Sequence, residues 1–157
     1  MSSCPRCSGA LETLEYAPQV HVEQCVECGG LLVHTRQMIG LLRLAAGVML
    51  DHIDPTAVIR PFEGPTERIG CPSCGKRMDL DGYQGMNLVK IDRCSPCSKV
   101  WIDPGELAVM ATLYARTQRQ VDLADARAEA QRKEQMQRLS RMMLSSAQAN
   151  RAAARGL

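Results

Sequence analysis

The residues of this 157-residue chain best suited to chemistry are its eight cysteines, which fall into four Cys-x-x-Cys pairs with none left over: Cys4 with Cys7, Cys25 with Cys28, Cys71 with Cys74, and Cys94 with Cys97. Seventeen residues separate Cys7 from Cys25 and nineteen separate Cys74 from Cys94. Both intervals fit a four-cysteine zinc site, in which roughly 15–20 residues join the two pairs. Zinc takes four thiolates at tetrahedral corners, and one Cys-x-x-Cys turn sets two sulfurs on one side of the ion. The expected cofactor is therefore two structural Zn²⁺ per chain, one on Cys4, Cys7, Cys25 and Cys28 and one on Cys71, Cys74, Cys94 and Cys97. Such knuckles also suit an Fe(SCys)₄ centre, which is the rival. A catalytic zinc keeps one open position, and full sets of four thiolates leave none. The chain is accordingly expected not to be an enzyme and to have no catalytic residue and no small-molecule substrate. A thioredoxin-like role would need a βαβ unit beside a Cys-x-x-Cys, and no such pattern is present.

The elements that must position these sulfurs occur twice. Cys4-Pro5-Arg6-Cys7 matches Cys71-Pro72-Ser73-Cys74 at an offset of 67, and Cys25 through Val33 matches Cys94 through Ile102 at an offset of 69. A duplicated unit with a two-residue change in its loop accounts for both offsets. Val20-His21-Val22-Glu23 and Leu88-Val89-Lys90-Ile91-Asp92 alternate apolar and polar residues, the period of a half-exposed strand, so each unit should carry a short antiparallel hairpin. Asp103-Pro104-Gly105-Glu106 reads as a helix start with Asp103 as cap and Glu106 reaching back to it. In the first unit His34 or Thr35 takes that place. Trp101 should cover the ribbon and seat the helix, and His21, His34 and His52 should be surface residues.

These residues resemble the transcription factor IIB type zinc-ribbon family, whose pattern is CPxC, a loop, then CxxCGGxWLDxGEL. The second unit keeps Cys71-Pro72-Ser73-Cys74 and Val100-Trp101-Ile102-Asp103-Pro104-Gly105-Glu106-Leu107, with Ser98-Lys99 in place of the paired glycines. The first keeps Gly29-Gly30 but has Leu32, His34 and Arg36-Gln37-Met38 where the pattern has Trp, Asp and Gly-Glu-Leu. The resemblance spans roughly residues 4–38 and 71–107 and favours zinc over iron. It implies a small metal-bound α+β fold: two tandem zinc ribbons, each a short hairpin with Cys4 knuckles followed by a helix. A ribbon fold alone assigns no function.

The expected organisation is ribbon 1 over 1–34, an apolar helix over 35–50, a linker with three prolines over 51–68, ribbon 2 over 69–103 and a long helix over 104–157. Met38, Ile39, Leu41, Leu42, Leu44, Ala45, Val48 and Met49 ring the first helix, and a helix apolar all round must be buried. Its cover should be the second helix at Leu107–Tyr114 or a second copy of the chain. From Pro104 to Ala154 good helix formers dominate, with no interior glycine after Gly105. Leu107, Met110, Tyr114, Thr117, Val121, Ala124 and Ala128 follow a heptad seam, which Met136, Leu139 and Met143 resume one residue out of phase.

No signal peptide is recognisable, and no apolar run reaches the roughly 20 residues of a membrane span. A cytoplasmic protein that does not enter membranes is therefore expected. Residues 1–103 carry 10 Lys and Arg against 12 Asp and Glu, whereas residues 104–157 carry 9 against 5. A polyanion would meet the basic tail first. The favoured partners are another protein or a second copy, met through Met38–Leu50 and the C-terminal helix. Nucleic acid is the alternative, disfavoured by Glu12, Glu15, Glu23 and Glu27 around Arg6 and by the lack of an aromatic stacking platform.

Overall fold

The computed structural model describes residues 2–49 and 58–155, with the side chains of Met49 and of 145–155 left aside. His52, Leu50 and the first seven residues of the expected linker lie outside the described residues. The chain divides into two compact units, Met1–Arg116 and Thr117–Leu157.

In the first unit, β1 (Leu11–Ala17), β2 (Val20–Cys25) and β3 (Leu31–His34) lead into α1 (Thr35–Met49). The repeat then gives β4 (Asp79–Gly82), β5 (Lys90–Cys94) and β6 (Lys99–Ile102) before α2 (Glu106–Arg155). The two ribbons are not separate modules: all six strands form one sheet, in the order β1-β2-β3-β6-β5-β4. The order is a palindrome because β3 and β6, which end the two repeats, pair antiparallel with each other. Leu31 faces Ile102, Leu32 faces Trp101 and Val33 faces Val100. Under the 69-residue offset Leu32 is the counterpart of Trp101, Leu31 of Val100 and Val33 of Ile102, so the pairing maps onto itself. A pseudo-two-fold axis therefore passes through the Leu32–Trp101 pair, and the tandem chain is built like an isologous dimer with its subunits joined.

Strand alternation sends side chains to opposite faces. Leu31, Val33, Val100 and Ile102 join one buried core with Val20, Val22, Val89 and Ile91, covered by Leu41, Leu42 and Ala46 of α1 and Met110 and Ala111 of α2. Leu32 and Trp101 point the other way, among Cys4, Cys25, Cys71 and Cys94. The helices thus lie on one face of the sheet and the cysteines on the other.

α1 takes the intramolecular option: it shares this core with the start of α2, and Arg43 Nε donates to Tyr114 Oη at 3.0 Å. It is not buried all round, however. Ile39 stays 57% exposed and Val48 79% exposed. A sheet covers one stripe of a helix, and the short start of α2 covers little more. Trp101 also departs from expectation, since Val100 and Ile102, not the indole, seat the helices. His21 is exposed, and His34 is half-buried, its Nδ1 accepting from the backbone N–H of Arg36 at 3.3 Å at the start of α1. In the second unit every residue from Thr117 to Leu144 is exposed. The heptad positions Leu107, Met110 and Tyr114 are already packed into the core of the first unit. Only the later part of the seam faces outward.

Candidate metal centres

Each pair of knuckles folds around backbone hydrogen bonds that aim the sulfurs inward. In the first ribbon the N–H of Cys4 donates to Gly9 O at 2.8 Å and that of Cys25 to Gly30 O at 2.8 Å; in the second, the N–H of Cys71 donates to Lys76 O at 2.8 Å. Gly29 and Gly75 turn the chain with φ of 76° and 71°, the left-handed region where glycine is free of strain. All eight cysteines are free thiols, and they gather into two groups of four. Within each group the sulfurs lie within 4.8 Å of one another. Cys4 and Cys28 approach to 3.6 Å, Cys7 and Cys25 to 3.4 Å, and Cys74 and Cys94 to 3.7 Å. A tetrahedral ion with metal–sulfur bonds of about 2.3 Å has edges of about 3.8 Å. The donor sets fit, and each Cys4 group can bind one zinc ion.

Proton affinities are divided within each group. Burial raises the Cys25 thiol, but the N–H groups of Cys28 and Glu27 and the neighbouring thiols outweigh it and bring Cys25 to about 6. The N–H of Lys76, with help from the Cys97 thiol, lowers Cys74 to about 7. Burial pushes Cys4 up to about 12, and the Cys74 thiol pushes Cys97 up to about 12. Each group thus offers a thiolate near neutral pH, Cys25 in the first and Cys74 in the second, and metal binding must displace the protons that Cys4 and Cys97 hold.

Between the two centres lies a polar cluster that the sequence reading missed. Arg6, inside the first knuckle, grips Asp103 of the other repeat through Nε at 3.1 and 3.2 Å and through Nη2 at 2.7 Å. The same Nη2 reaches Asp92 at 2.9 Å, and Nη1 donates to Glu67 O at 2.7 Å. Trp101 Nε1 donates to Asp103 Oδ1 at 2.7 Å. With its carboxylate thus occupied, Asp103 does not cap α2 with its side chain. Glu106 supplies the expected return contact, accepting from the Asp103 N–H at 2.8 Å. Across the pseudo-two-fold, Lys99 Nζ binds Glu23 at 2.6 Å and Ser73 Oγ at 2.9 Å. Ser73 is the repeat counterpart of Arg6, and Glu23 that of Asp92. That Arg6 and Ser73 differ at matched positions was the available signal.

Burial pushes the Glu106 carboxyl up to about 7, with the Asp103 N–H opposing and the charges of Asp103 and Asp92 adding. A carboxyl raised in the fold favours its protonated form there. The stability it contributes is fully present below the ordinary 4.5 and is lost as pH rises through about 7. Gln at this position keeps an acceptor for the Asp103 N–H and cannot ionise. Relative to the parent, Glu106→Gln should therefore gain on the order of 1–3 kcal/mol between pH 5.5 and pH 8. Denaturant melts of both chains with zinc in excess check this; a difference that stays flat or shrinks with pH refutes it.

Among the described residues no helix is long and apolar enough to cross a membrane. No curated protein matches the chain, and no solved structure does. Residues 3–43, which hold Cys4, Cys7, Cys25 and Cys28, match the family model for the transcription factor zinc-finger, a TFIIB-type zinc ribbon; the second ribbon is supported by its own four-cysteine group.

Proposed function

We propose that this chain is a non-catalytic zinc-binding interaction module, in which two metal centres hold a rigid six-stranded head and α2 carries the contact with a second copy or another protein. The supporting observation is the outward surface of α2, where Val121, Leu123, Met136, Leu139 and Leu144 are 48–66% exposed. Large apolar side chains repeated along one helix are costly in water and suit a helical partner. A complete set of four thiolates at each centre argues against an activated water, and hence against catalysis. The alternative reading is nucleic-acid binding, favoured by the excess of 9 Lys and Arg over 5 Asp and Glu in residues 104–157. Two of those cations are engaged within the helix, Lys133 with Glu129 and Arg138 with Glu134.

Light scattering on the zinc-loaded chain, alone and with a short DNA duplex at two salt concentrations, separates the readings. The expected mass exceeds one chain, falls to one chain in Val121→Glu/Leu139→Glu, and ignores DNA. A monomer that binds the duplex and releases it steeply as salt rises overturns the interaction reading in favour of the alternative.

A further inference from the structure

We infer that the two metal centres are energetically coupled through Arg6 and Lys99, so that filling one raises the zinc affinity of the other and half-loaded chains are scarce. The inference rests on the zinc occupancy proposed above and goes beyond it.

Arg6 lies between two ligands of the first centre, Cys4 and Cys7, and its backbone N–H points at the Cys4 sulfur at 3.4 Å. Its guanidinium is seated among acceptors of the second repeat: Asp92, two residues before Cys94, and Asp103 beyond Cys97. Both carboxylates are buried, at 2% and 4% exposure. The mirror link runs the opposite way. Lys99, two residues after Cys97, holds Glu23, two residues before Cys25, and it also holds Ser73 between Cys71 and Cys74. Each centre therefore carries a cation or acceptor whose position depends on its knuckle being closed and whose partner stands beside the other centre. A third link is apolar: Gly30, which accepts the Cys25 N–H, lies under the Trp101 ring.

If the first knuckle opens, Arg6 withdraws from Asp92, Asp103 and the nearby Glu106 in a buried site, and Asp92 keeps the weaker attraction of Arg68. Removing one partner from a buried ion pair is strongly destabilising. The second ribbon, and the knuckle it contains, is weakened as a result. Linkage makes the effect reciprocal, since an ion that tightens one centre must be tightened by the other to the same degree.

Native mass spectrometry of the full chain with one equivalent of zinc counts chains holding no, one and two ions. The readout is the square of the one-zinc population divided by the product of the other two. It is expected to rise at least about tenfold in Arg6→Met/Lys99→Met, within the usual span of allosteric coupling. Asp103→Asn should raise it alone and add little on top of Arg6→Met, because both break one link. Lys99→Met by itself acts on the more exposed link, should rise less, and guards against a misfolded double variant. Arg93→Met is the control: it removes the exposed Arg93–Asp81 pair inside the second repeat and should leave the ratio unchanged. A ratio equal in the parent, Lys99→Met and Arg6→Met/Lys99→Met overturns the coupling, as does a rise of equal size in Arg93→Met. A chain that saturates at a number other than two zincs instead overturns the zinc reading itself.

Discussion

Stripping zinc from this chain with a chelator is expected to abolish its cooperative thermal transition and to move Trp101 from a buried to a water-exposed emission. Four of the eight ligands, Cys4, Cys25, Cys71 and Cys94, are themselves members of the core that surrounds Trp101 and Leu32. Without an ion nothing ties the two knuckles of a group together, and the thiolate that each group holds near neutral pH, Cys25 in the first and Cys74 in the second, loses the cation that would stabilise it. Structural zinc contributes on the order of 10–16 kcal/mol to the folding of small zinc domains, as much as the whole net stability of a typical domain. The core between sheet and helices is larger than the few aromatics suggested, but it covers the opposite face and cannot hold the knuckles closed. A single ligand change is the milder version. Cys97→Ser should lose one of two zincs and at least about 3 kcal/mol, a fall in melting temperature of about 10 °C or more. A Cys97→Ser chain that keeps both ions and its full melting temperature sinks the four-thiolate assignment.

Gly30→Ala should be nearly as damaging, although it adds one methyl group. A Cβ at this position would press into Cζ2 of Trp101, with Cη2 only 3.0 Å and Cε2 only 3.1 Å away. The ring cannot retreat, because it is fully buried and its Nε1 is held by Asp103. Overpacking of a tight core costs about 1–3 kcal/mol, and an immovable ring places this site at the upper end. The repeat supplies its own rescue. In the other half the counterpart of Gly30 is Lys99, and the counterpart of Trp101 is the smaller Leu32. Trp101→Leu should therefore make room for a side chain at 30: it destabilises alone by about 2–4 kcal/mol through its cavity, yet Gly30→Ala should cost little more in its presence. Denaturant midpoints of the four chains of this cycle measure the coupling. Strict additivity would show that the glycine serves its own turn, not the indole across the axis.

The two departures from the zinc-ribbon pattern thus explain each other. Ser98-Lys99 opposite Gly29-Gly30 and Leu32 opposite Trp101 look, along the chain, like two unrelated differences between the repeats. Across the axis they are complementary: the retained Trp101 lies over the retained Gly30, and the replacement Lys99 belongs to the half whose partner position holds Leu32. At these positions each half is complementary to the other, as the subunits of a hetero-dimer are.

Legible without coordinates were those features governed by neighbours a few residues apart. The spacing of Cys-x-x-Cys closes a knuckle locally, alternation marks β2 and β5, and Glu106 reaches back three residues to Asp103, so the two donor sets, the hairpins and the start of α2 could be read directly. Contacts of high sequence separation were not legible. The joining of β3 to β6, the passage of Arg6 to Asp103 across 97 residues, and the seating of Trp101 on Gly30 depend on how two similar surfaces meet, and a repeat pattern looks the same whether its copies stand apart or share a sheet. The burial of α1 on one side only was hidden for the same reason: hydrophobicity records which faces can be buried, but which one is buried depends on the area of sheet that the fold brings to it.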